Sequence, residues 1–120
     1  MTADDFGKIA LGLPGAEQRA HMGHPDFRAA GKIFAGLGSP DKGSGVVKLT
    51  PEQQAEFMRA EPEAFAPAAG AWGRSGWTVV QLQAAAQEIA GEALTAAWRN
   101  VASKTAGKPA AKKRTGKRQV

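Results

Sequence analysis

Residues 27–37 read Phe-Arg-Ala-Ala-Gly-Lys-Ile-Phe-Ala-Gly-Leu. Phe27–Ala30 and Lys32–Leu37 are apolar-rich segments joined across Gly31, and they read as consecutive strands with no helix between them. Upstream, Glu17–Met22 reads as a further strand. Downstream, Gly38-Ser39-Pro40-Asp41-Lys42-Gly43-Ser44-Gly45 is turn-rich and leads to another strand at Val46–Leu49.

Helices flank this strand block. Thr2 followed by Asp5 has the pattern of a capping box, and Phe6, Ile9, Ala10 and Leu13 then recur at helical spacing until Pro14-Gly15. Thr50-Pro51-Glu52 opens a second helix, with Thr at the N-cap, Pro at the first turn and an acid at the positive end of the dipole. Pro62 stops it. Pro67–Gly76 reads as a loop carrying Trp72, and Trp77–Leu82 is a late strand. From Ala84 to about Ala102, Ile89, Ala93, Leu94, Ala97, Trp98 and Val101 keep helical period. Helix, strands, helix, strand, helix is not βαβ alternation, so the predicted class is α+β with a mainly antiparallel sheet.

A chain of 120 residues fits one domain, and three Trp and five Phe are enough to anchor its core. The expected division is a domain over 1–103 and a disordered basic tail over 104–120, which has no apolar residue larger than Ala before Val120. The charge splits the same way. Lys104, Lys108, Lys112, Lys113, Arg114, Lys117 and Arg118 stand in the tail without an acid, whereas residues 1–103 hold nine basic and eleven acidic residues. The whole positive balance is therefore in the tail. Absence of Cys excludes disulfides, and with no basic leader or long apolar run the expected location is the cytoplasm.

Five motifs in order carry a resemblance. They are Leu13-Pro14-Gly15-Ala16-Glu17-Gln18, Gly23-His24-Pro25-Asp26-Phe27-Arg28, Gly31-Lys32-Ile33-Phe34-Ala35, Lys48-Leu49-Thr50-Pro51-Glu52 and Trp77-Thr78-Val79-Val80-Gln81-Leu82. Across roughly residues 3–102 the chain resembles the MmcQ/YjbR family. The resemblance implies a two-layer sandwich, helices on one face of the sheet, similar to a double-wing DNA-binding module. It also implies, by analogy of fold, a bacterial-type DNA-binding role; no enzymatic activity is expected, since no acid–base pair or nucleophile emerges at recognisable spacing. Longer members carry a polar loop after the strand ending at Leu82, where this chain runs through Gln83-Ala84-Ala85-Ala86 into the last helix.

Catalytic and metal chemistry find little support. His21 and His24 supply too few ligands for zinc without Cys, so no metal or other cofactor is expected. None of Ser39, Ser44, Ser75 and Ser103 lies in a nucleophile elbow. The Gly36–Gly45 loop leads into a strand, whereas a phosphate cradle would open a helix.

Binding chemistry is better represented. Strict alternation sets Lys32 and Phe34 on one face of their strand, opposite Ile33, Ala35 and Leu37. Arg28 and Lys48 likewise alternate with apolar neighbours. Arg28, Lys32, Lys48 and Phe34 are thus expected to share an open sheet face, with Arg74 at its rim. Bases interleaved with an aromatic suit nucleic acid, although a half-exposed sheet also needs polar outer residues. Asp26 shares Arg28's face and offsets it. Trp77 and Trp98 are expected in or against the core, and Trp72 is either a lid or an exposed contact. Lys112, Lys113, Arg114, Lys117 and Arg118 are expected to give nonspecific phosphate contacts. The expected partner is DNA, with no membrane, and the chain is expected to be a monomer. The alternative is a protein-interaction or small-ligand-binding module centred on Trp72.

Overall fold

The Thr2 side chain accepts from the Asp5 N–H and the Asp5 carboxylate accepts from the Thr2 N–H, closing a capping box on α1 (Ala3–Leu11). Phe6 and Ala10 turn inward from it. The computed structural model describes residues 1–21, 23–38 and 41–106, with side chains for all of these but 21 and 103–106.

Strands β1 (Glu17–His21), β2 (His24–Ala29), β3 (Lys32–Leu37) and β4 (Ser44–Lys48) follow α1. Between β2 and β3 the two turn residues, Ala30 and Gly31, both sit at positive φ (54° and 80°). A two-residue hairpin needs that handedness to match the twist of its strands. A second capping box, Thr50 with Gln53, starts α2 (Pro51–Ala60). Then come β5 (Phe65–Pro67), α3 (Gly70–Arg74), β6 (Trp77–Gln81) and α4 (Gln87–Ala106). The expected loop over 67–76 thus contains the end of a short strand and a short helix. The last helix starts later than expected and runs three residues past the expected domain end at 103. The rest of the basic tail lies outside the described residues.

All strand pairs are antiparallel, in the order β1-β2-β3-β4-β6-β5. Cross-strand partners share a face, so Phe27, Ala35 and Val47 form one inward row, and Leu37, Gly45, Val80 and Phe65 another. Helices α1 and α4 pack together on that side, with Leu94, Ala97 and Val101 of α4 in the core. The Trp98 indole N–H also donates to the Pro14 carbonyl at 2.8 Å, tying α4 to the chain just after α1. Helix α2 covers the far end of the same side through Phe57, whose ring lies 5.2 Å from that of Phe65. The opposite sheet face carries no helix among the described residues except α3 at its edge. The α+β class with a helix-covered side is therefore as the sequence predicts.

One register shift alters which residues face which way. Phe27 pairs with Ala35 but Arg28 pairs with Ile33, leaving Phe34 as an extra residue on β3. This bulge puts Phe34 and Ala35 side by side towards the helices, both wholly buried. Strict alternation had set Phe34 on the open face, and the bulge overturns that expectation.

Candidate nucleic-acid interface

The open face carries Glu17, Arg19, Asp26, Arg28, Ile33, Val46, Lys48, Trp77 and Val79, set by alternation with the inward rows. Of the bases expected there, Arg28 and Lys48 are present. Lys32 pairs with buried Ala29 at the sheet's end, which puts it on the helix-covered side, exposed at the margin. Phe34 is buried on that side and has no ring face to offer a ligand. The tail residues Lys112, Lys113, Arg114, Lys117 and Arg118 lie outside the described residues.

Arg28 is committed within the fold. Its Nε donates to Asp26 Oδ1 at 2.8 Å and its terminal nitrogen donates to Asp26 Oδ2 at 3.1 Å. Asp26 is only 5% exposed, so this two-pronged pair neutralises a nearly buried carboxylate. The hydrogen bonds to Asp26, ahead of its charge, raise the guanidinium pKa further above its already high ordinary value. Removing Arg28 for a phosphate would leave Asp26 uncompensated, so this arginine is a poor phosphate ligand. On the edge strand, Arg19 sits 3.4 Å from Glu17.

The other side of the face is different in kind. Lys48 pairs with Trp77 across β4 and β6, and its Nζ lies 5.9 Å from the Trp77 ring centroid, within cation–π range. Trp72 of α3 meets the same ring, centroids 5.9 Å apart at an interplanar angle of 71°. Trp72 is 66% exposed. A Trp so exposed is a candidate contact residue. Arg74 closes α3 and is also exposed. Among the described residues, neither Lys48 nor Arg74 has a carboxylate partner.

Trp77 had been expected in the core. Thr78 takes the inward position instead, opposite Val47, because its hydroxyl has partners there: it donates to the Gly76 carbonyl at 2.8 Å and accepts from the Gln54 amide at 3.1 Å. The inward Thr turns its neighbour Trp77 out. The Gln54 side-chain amide also bonds the carbonyls of Gly73 (3.1 Å) and Trp77 (3.0 Å), so α2 latches both α3 and β6.

Two close backbone approaches fix the same segment. A Cβ at Gly73 would stand 1.9 Å from the Ala68 carbonyl oxygen, and one at Gly76 would stand 1.9 Å from that of Leu49. Ser75 Oγ donates to the Trp72 carbonyl at 2.8 Å. The segment that displays Trp72 is thus packed and hydrogen-bonded despite its Gly-rich sequence.

On the helix side, a shallow cleft of about 270 Å³ lies between α1 and the sheet, lined by Leu11, Gln18, Phe27 and Leu37. The charged groups at its rim, Asp4 and Lys8, pair with each other at 3.5 Å. Among the described residues, no three His, Asp or Glu side chains gather as a metal site, and no helix is long and apolar enough to cross a membrane.

The family model described as YjbR matches residues 11–100. No curated protein matches the chain. Among solved structures, the chain is similar to the crystal structure of Deinococcus radiodurans protein DR2400, which carries the family-model domain DUF419. The TM-score is 0.74 at 22% identity, covering 89% of this chain and 83% of that one. This second likeness is one of fold.

Proposed function

The chain belongs to the YjbR family, and from that premise we propose that it is a non-enzymatic DNA-binding protein. In this reading the folded domain contacts DNA through Lys48, Trp72, Trp77 and Arg74, and the Lys/Arg-rich residues after Ser103 add nonspecific phosphate contacts. The observation that carries it is the arrangement of Trp72 and Lys48 about the Trp77 ring on the open sheet face. Such a patch offers a π-surface for bases beside a cation for phosphate. Catalysis is not part of the reading, because the described serine hydroxyls serve the fold. Ser44 is buried and donates to Asp41 at 3.0 Å, and Ser75 donates to the backbone.

Titration of the full chain with fluorescent DNA at several salt concentrations tests it. Binding is expected to weaken linearly in log–log form with salt, since each neutralised phosphate contributes a slope of about 0.9. Replacing Lys112, Lys113, Arg114, Lys117 and Arg118 by Gln is expected to remove most of the slope but not all of the binding. Absence of binding at low salt overturns the proposal. Loss of all binding in the five-Gln variant overturns the contribution of the folded domain.

A further inference from the structure

We infer that the open face takes unpaired bases of single-stranded nucleic acid in preference to duplex, with one base stacked on Trp72. This rests on the nucleic-acid reading above and narrows it to a ligand class.

The first argument is electrostatic. A duplex carries one negative charge per ~1.7 Å of axis, so a surface that grips it needs an array of uncommitted cations. This face lacks one. Arg28 is held by Asp26 and Arg19 stands against Glu17, both on the open side. The folded portion of the sequence has more acids than bases. Among the described residues Lys48 is the unpaired cation on the open face of the sheet, with Arg74 near it on α3.

The second argument is shape and polarity. Next to the Trp pair the open-face positions are uncharged: half-buried Val46, flanked by its cross-strand partners Val79 and Gly36, which are nearly buried beside it. Flat apolar bases suit these positions and phosphates do not. A base can reach them only if it is unpaired, because in a duplex the flat faces are stacked on one another.

The third is rigidity. The carbonyls of Ala68 and Leu49 press against Gly73 and Gly76, and Gln54 latches the segment from beneath. An aromatic side chain on a fixed support loses little freedom on binding, which favours stacking on a single residue.

The experiment uses the full-length chain with the five tail residues Lys112, Lys113, Arg114, Lys117 and Arg118 changed to Gln, so that the folded face is read out. The probes are a thymidine oligomer of about 15 nucleotides, near the upper end of known single-strand site sizes, and a mixed-sequence duplex of equal length. Both are titrated at about 0.15 M salt, with Trp fluorescence and anisotropy as readouts. Single strand is expected to quench Trp emission and to bind at least about tenfold tighter than duplex. Trp72→Ala is expected to weaken single-strand binding about tenfold or more while changing duplex binding less than about twofold, and Trp72→Phe to retain most of it. Equal or tighter duplex binding overturns the inference while leaving the DNA-binding proposal standing. An equal loss for both ligands in Trp72→Ala overturns the stacking role. Binding of neither ligand, even at low salt, overturns the folded-face reading itself.

Discussion

Trp72 and Trp77 meet nearly at right angles, 71° between ring planes and 5.9 Å between centroids, on the sheet face that the long helices leave uncovered. Trp77 is half-buried and braced by Lys48, whereas Trp72 stands two-thirds in solvent. The inner ring supports the outer one. Trp72→Ala is expected to cost at most about 1.5 kcal/mol, the value of one edge-to-face contact. Urea or thermal unfolding measures this, and a larger loss would make Trp72 a structural residue.

Phe34 is predicted to behave in the opposite way. It is wholly buried in the hydrophobic core, so Phe34→Ala should cost about 3–5 kcal/mol. Lys32→Ala, two positions away and exposed, should change stability by less than about 0.5 kcal/mol. Equilibrium unfolding of the two variants separates the bulged strand from a strictly alternating one.

Gly73→Ala and Gly76→Ala are each expected to cost more than about 3 kcal/mol, because the added methyl meets a backbone carbonyl that cannot swing aside. Gly76 is further constrained by a φ of +115°. Partial loss of fold in Gly73→Ala should raise Trp72 exposure, seen as a red shift of Trp emission before global unfolding.

The β2–β3 turn holds a correctable strain. Ala30 sits at φ 54°, where a Cβ costs about 1–2 kcal/mol and Asn is better tolerated. Ala30→Asn is expected to stabilise the chain by up to about 1 kcal/mol, measured as a rise in Tm. A fall would mean that the Ala30 methyl makes a contact worth more than the strain.

At the N-terminus, hydrogen bonds from the Thr2 backbone, then those with its side chain, hold the Asp5 carboxyl below the ordinary Asp range. The depressed value fixes the sign. This contribution to stability is fully present above the ordinary Asp pKa of about 3.9 and is lost as pH falls through the lower folded value. Carboxyl NMR titration should give Asp5 a pKa below the ordinary Asp value. Asp5→Asn should remove this part of the acid sensitivity.

Much of the architecture was legible because local chemistry announces it. Thr2 with Asp5 and Thr50-Pro51 mark two helix starts, and the period of Ile89, Leu94, Trp98 and Val101 marks the last helix. Trp72 was legible as a residue to watch, since a Trp among Gly and Pro is seldom in regular core packing. The missing parts depend on partners distant in sequence. Strand β5 has three residues ending in Pro67, and α3 is Gly-Ala-Trp-Gly-Arg, so neither has a periodic signal. Carbonyls at Ala68 and Leu49 and the amide of Gln54 hold that region together. The orientation of Trp77 was hidden for the same reason: the inward Thr78 hydroxyl accepts from the Gln54 amide, 24 residues away in sequence. Phe34 was misassigned because alternation counts residues, and a bulge adds one.

That added residue has a bearing on how this sheet tolerates change in chain length. Without Phe34, Ile33 would still stand opposite Arg28 and Ala35 opposite Phe27, with the two registers meeting as an unbroken ladder. Every other side chain of β3 would keep its face. A one-residue deletion elsewhere in the strand would turn half of it inside out; here it would remove a single ring from the core. Position 34 is therefore where the length of β3 can drift between related chains at a local cost.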